Sequence, residues 1–166
     1  MDRDLTNERE YVTAWNPFEK KLLHISQGTQ ITSPKDLLTD VRLIGGNLKN
    51  TSRYEDEKNA LLKAQQKYGA AANQTYIIGH SLGGAITNAI APSGSHAYTY
   101  NAAYAPNQKA RETVTNIRTK GDVFSVFAPS ENTTTLGNPS GPSVNPVNAL
   151  LKAHQLENIK DAKIYF

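Results

Sequence analysis

The chain has 166 residues, no cysteine and a formal net charge of +3. That length suits a single domain, spanning 1–166, with a core of its own. The lack of cysteine excludes disulfides, thiolate metal sites and a cysteine nucleophile. No run of Lys and Arg marks a nucleic-acid groove, so no nucleic-acid partner is expected. The mild positive charge leaves attraction to an anionic lipid surface open, as a peripheral contact.

The first ten residues are charged and contain no apolar h-region, so no signal peptide is expected. No stretch approaches the roughly 18 apolar residues of a membrane span. Cytoplasmic and virion-associated locations both fit, and the Asn- and Lys-rich composition hints at an AT-rich, viral type of genome. Nothing in the pattern bears on oligomeric state.

Along the chain, residues 11–15 and 21–26 alternate and are apolar, with Asn16-Pro-Phe-Glu-Lys20 between them. This pattern predicts a β-hairpin whose second strand ends at Gln27-Gly28-Thr29. Ser33-Pro34 places a cap before an N1 proline and predicts a short helix to Asp40, with Leu37, Leu38 and Val41 on one side. Gly45-Gly46-Asn47 breaks the chain. Residues 55–68 carry Ala60, Leu61, Leu62, Ala64 and Tyr68 among Lys, Glu and Gln, the spacing of an amphipathic helix, and Gly69 suits its C-cap.

Residues 75–79 predict a short buried strand and residues 82–90 a buried helix of small apolar residues. Strands are predicted at 96–100 and 114–119, and a long Ser/Asn/Thr/Gly/Pro loop at 130–146. A last helix over 147–156 and a terminal strand over 162–166 complete the pattern. Strands alternating with helices predict an α/β fold, a mainly parallel central sheet with helices on both faces.

The chemistry centres on Gly79-His80-Ser81-Leu82-Gly83, which satisfies Gly-x-Ser-x-Gly. Five residues of this kind arise by chance often enough that the pattern alone is weak. Its context is stronger: a β-rich run precedes it and a helix-forming run follows, as a strand–turn–helix nucleophile elbow requires. Side chains two residues before and two after the serine would collide with the neighbouring helix and strand, hence glycine at both. The helix N-terminus behind the serine favours negative charge at the reacting carbon. Ser81 is the expected nucleophile of an α/β-hydrolase-type fold. His80 would point away from Ser81 Oγ, so a packing or hydrogen-bonding role is expected for it rather than that of the base.

In such folds the acid and then the histidine follow the serine in the chain. His154 is the one histidine beyond residue 96. The acids between are Glu112, Asp122 and Glu131. Glu112 lies in a polar stretch before a strand and Glu131 begins the long loop, whereas Asp122 follows the strand 114–119 and the turn Lys120-Gly121. A strand end can aim a fixed carboxylate at imidazole. His154 is therefore the expected base and Asp122 its orienting acid. Taken singly, His154 could be a solvated helix residue and Asp122 a turn residue. The oxyanion needs donors. The backbone N–H of Leu82 supplies one. Thr29 is a candidate for the second through its N–H and hydroxyl, an ordinary strand-ending turn being the alternative.

Together these segments resemble the class 3 lipase family, the fungal triacylglycerol lipase type, over about residues 11–160. Gly79-His-Ser-Leu-Gly-Gly-Ala85 is similar to that family's elbow. Ile25-Ser-Gln-Gly-Thr29 is similar to its oxyanion strand, and Asp36-Leu-Leu-Thr-Asp40 to the segment that forms its lid. Val114 through Asp122 is similar to the strand ending in the acid, and His154-Gln-Leu-Glu-Asn158 to the region of the base. The resemblance implies the same triad, Ser81, Asp122 and His154, with Thr29 as an oxyanion donor. Departures are Gln27, where the family has Arg, and Tyr98-Thr-Tyr-Asn-Ala-Ala103, where it often has Thr-Phe-Gly-x-Pro-Arg.

The expected activity is hydrolysis of lipid or lipid-like carboxylic esters through an acyl-enzyme, with no metal and no cofactor. Triglyceride, phospholipid and small-ester substrates stay open at this point, as does a peptidase or thioesterase activity on the same triad. The competing reading is a catalytically silent scaffold with a binding or virion-structural role. The acidic residues Asp2, Asp4 and Glu8 are read as a solvated terminus rather than a cation site.

Overall fold

The structure is a computed structural model and describes residues 5–29, 47–105, 109, 111–137 and 153–154. Strand β1 (Tyr11–Asn16) and strand β2 (Lys21–Ser26) form the expected antiparallel hairpin, with Thr13 opposite His24. Asn16 closes its turn, accepting from the amides of Phe18 and Glu19 at 3.0 and 3.1 Å. The turn ends at Lys20, which has a positive φ of 53°.

Helix α1 (Ser52–Tyr68) starts earlier than the apolar spacing alone predicts. Thr51 is the reason: its hydroxyl accepts from the Tyr54 amide at 3.2 Å and caps the first turn. Gly69 ends the helix in the left-handed region, at φ 62°, as its type allows.

Strand β3 (Thr75–His80) runs directly into helix α2 (Ser81–Ile90). Strands β4 (His96–Tyr100) and β5 (Val114–Thr119) follow as expected. The guanidinium of Arg111 hydrogen-bonds the carbonyls of Asn88, Ala89 and Ala91 at 2.6–2.9 Å, placing a cation at the C-terminal end of α2.

Part of the region predicted as loop is a strand. Residues Thr133–Leu136 form β6, parallel to β5, after a 3-10 turn over Ser130–Asn132. Three consecutive threonines look polar in composition, yet a β-branched residue suits a half-exposed edge strand. The predicted helix near 33–40, the Asp36–Asp40 segment, the rest of the loop beyond 137 and the terminal strand at 162–166 lie outside the described residues. Of the helix predicted over 147–156, only Ala153 and His154 are described, and both are helical.

The fold is α/β. A six-stranded sheet runs in chain order from β1 to β6, antiparallel at the hairpin and parallel from β2 onward. Helices α1 and α2 cover the same face of the sheet. His24 pairs with Ile77 and Ser26 with Gly79, so these four share a face. His24 meets Glu57 of α1, and Gly79 meets α2. Successive right-handed crossovers in an unreversed strand order all fall on the same side. Leu22, Leu61, Ala64, Ile77, Ala97 and Val114 form the core there. The opposite face carries Leu23, Tyr76, Ile78 and Tyr98 along a groove. Among the described residues, no helix is long and apolar enough to cross a membrane.

Candidate active site

The passage from β3 to α2 has no spare residue, and the backbone shows it. His80 is extended (φ −118°, ψ 141°) and Ser81, the next residue, has φ 55°. A non-glycine residue at positive φ is uncommon and costs on the order of 1–3 kcal/mol. The turn is tight enough to demand both flanking glycines. A Cβ on Gly79 would collide with the Gly83 carbonyl and the Thr87 hydroxyl. A Cβ on Gly83 would collide with the carbonyls of Ser26 and Gln27, at the end of β2. Gly84, too, has no room for a Cβ, because the Ala102 side chain is there.

The three residues expected to act together are together. Ser81 Oγ lies 2.8 Å from His154 Nε2, and His154 Nδ1 lies 2.7 Å from Asp122 Oδ1. All three are buried. The carboxylate can only accept, so Nδ1 carries the imidazole proton and Nε2 is left to accept from the serine hydroxyl. Of the acids considered, Glu112 and Glu131 are exposed and Asp122 is buried.

Asp122 is fixed from its other side by Ser125. The Ser125 amide donates to Asp122 Oδ2 at 2.9 Å, and the Ser125 hydroxyl donates to the same oxygen. The Asp122 amide in turn donates to the Thr119 carbonyl at 3.0 Å, closing the turn after β5. Ser125 went unnoticed in the sequence. Its signal is an Asp followed three residues later by Ser, the spacing of a local side-chain cap.

His154 is held by ring contacts with two neighbours. The His80 ring centroid is 4.9 Å away and that of Phe124 is 4.5 Å away. His80 also donates from Nε2 to the His154 carbonyl at 2.9 Å. Burial first, and the neighbouring His154 second, push the His80 imidazole down to about 4. It is neutral at physiological pH and acts as a donor, in keeping with the hydrogen-bonding role expected of it.

The segment proposed to feed the oxyanion site runs beside the serine. A Cβ on Gly28 would stand 2.9 Å from His80 Nδ1 and 3.1 Å from Ser81 Cβ. Thr29, half-buried, is the next residue. Leu82 lies in the first turn of α2, where backbone N–H groups have no partner within the helix. The strand-end segment is anchored from α1. Arg53 donates to the carbonyls of Glu10 and Gln27 and, through Nε, to Glu57 Oε1 at 2.8 Å. Glu57 Oε2 meets His24 Nε2 at 3.4 Å, and His24 Nδ1 meets the Thr13 hydroxyl at 3.0 Å.

The Ser81–His154–Asp122 chain can move a proton from the serine hydroxyl to the imidazole as Oγ forms a bond to an electrophile. Developing negative charge would then lie near the N-terminal turn of α2. Compared with models of protein families and with curated proteins, the chain matches none.

Proposed function

We propose that the protein is a serine carboxylic ester hydrolase of α/β-hydrolase type, acting on lipid or lipid-like esters. The observation that carries this is the continuous hydrogen-bond chain Ser81–His154–Asp122, with the serine at positive φ on a strand–helix turn. Ser81 Oγ attacks the ester carbonyl while His154 Nε2 takes its proton. The N–H of Leu82 and the N–H or hydroxyl of Thr29 bind the oxyanion. His154 then protonates the leaving alcohol, and the acyl group remains on Ser81. Water, activated by the same imidazole, releases the acid. No metal takes part.

Two considerations favour lipid-like esters. The elbow and oxyanion segments resemble those of class 3 lipases. In addition, Val126 and Phe127 are each half-exposed shortly after Asp122, so apolar side chains reach the surface close in sequence to the acid. A panel of p-nitrophenyl esters of rising acyl length tests this reading. Turnover that rises from acetate to medium or long chains is expected. Absence of turnover on every ester, by folded protein, overturns it.

A further inference from the structure

We propose that Asn101 is a positioning residue that holds the acid and base arms of the site in alignment; this rests on the serine-hydrolase reading above. Asn101 follows the last residue of β4, is fully buried, and has φ 44°. Its Oδ1 accepts from the Thr119 amide at 2.7 Å. Its Nδ2 donates to the Ala153 carbonyl at 3.0 Å, with a longer contact of 3.4 Å to the Thr119 hydroxyl. Thr119 ends β5, and its carbonyl holds the Asp122 amide. Ala153 immediately precedes His154. One amide side chain therefore joins the backbone that aims the acid to the backbone that carries the base.

The surroundings leave this side chain little freedom. The Asn101 amide donates to the Ile117 carbonyl at 2.9 Å, and the Tyr100 hydroxyl meets the Thr119 hydroxyl at 2.7 Å. Just beyond, the Ala103 amide donates to the Ser81 carbonyl at 3.0 Å. The exit of β4 thus touches the segments of all three site residues. Asparagine is among the few non-glycine residues that accept positive φ readily, and its amide can donate and accept at once. A residue needed only to close a strand end would require one partner. Asn101 instead bridges segments 18 and 52 residues away in the chain.

Misplacing a reacting group by an ångström costs about 100-fold in rate, and loss of a supporting partner about 10- to 100-fold. The test uses the full chain and two variants. Asn101→Asp keeps the shape and the Thr119 contact but turns an oxygen toward the Ala153 carbonyl. Asn101→Gly keeps the positive φ and removes both bonds. Each is read by the far-downfield proton resonance of His154 Nδ1–H in the resting protein, and by kcat and KM on a soluble p-nitrophenyl ester.

In folded variants the resonance should weaken or vanish, and kcat should fall about 10- to 100-fold with KM within about twofold. A folded variant that keeps both resonance and kcat overturns the proposal. So does failure of both variants to fold, which would make Asn101 a stability residue, and so does absence of the resonance from the wild type. Failure of the hydrolase reading looks different: the wild type turns over no ester, while its resonance still responds to Asn101.

Discussion

Among the described residues two hydroxyl–histidine–carboxylate sets are buried, and they differ in their setting. In one, Ser81, His154 and Asp122 are linked at 2.8 and 2.7 Å. In the other, Thr13, His24 and Glu57 are linked at 3.0 and 3.4 Å. The difference lies in what surrounds each set. Thr13 and His24 face each other across the regular β1–β2 ladder, and Arg53 already pairs with Glu57. Ser81 sits at positive φ at the start of a helix, and Asp122 takes its hydrogen bonds from Ser125 and His154. A charge neutralised by arginine braces a fold, whereas a carboxylate aimed at imidazole can stabilise an imidazolium that forms during reaction.

Substitution can break this contrast. The largest expected effect is at the hydroxyls: Ser81→Ala abolishes ester turnover, and Thr13→Val leaves it intact, both read with a soluble p-nitrophenyl ester. Next come the carboxylates. Asp122→Asn should lower kcat by about 10³- to 10⁴-fold, because the amide favours the wrong imidazole tautomer. Glu57→Gln should instead cost stability, about 3–5 kcal/mol in urea unfolding, since it strands the Arg53 charge. Its kcat should stay far above that of Asp122→Asn. If the two carboxylate variants behave alike, Asp122 and Glu57 do not differ in role.

A smaller effect concerns pH. His80 has its pKa lowered from 6.5 to about 4 in the folded protein. The unfolded chain therefore binds the proton first as pH falls. The stability this group confers is complete above pH 6.5 and drains away as pH falls toward about 4, by about 3 kcal/mol. In His80→Gln that part of the slope should disappear, measured by urea unfolding at several pH values. An unchanged slope would assign the acid sensitivity to other groups.

Local chemistry made much of this visible in the sequence. The hairpin, the helix capped by Gly69 and the strand–turn–helix at Ser81 follow from alternation, apolar spacing and glycine placement. Chain order and elimination were enough to bring Asp122 and His154 to the serine. What stayed hidden depends on contacts between distant segments. Glu57 looks like an ordinary solvent-facing residue of an amphipathic helix. It is buried because Arg53, one turn earlier, and His24, on the hairpin, both reach it. The apolar spacing starts the helix at 55, which leaves Arg53 outside and conceals the pair. Strand β6 escaped because threonines read by polarity suggest loop, while pairing with β5 is what makes them strand. Asn101 was visible only as a departure from a family pattern, since its partners at Thr119 and Ala153 come from elsewhere in the chain.

The most direct test of the central claim is to treat the folded protein with a fluorophosphonate probe and map the adduct by peptide mass spectrometry. A single adduct on Ser81 is expected, formed quickly in the wild type and slowly in Asp122→Asn. An adduct on another hydroxyl such as Ser125 or Thr13, or none on folded protein, would contradict it.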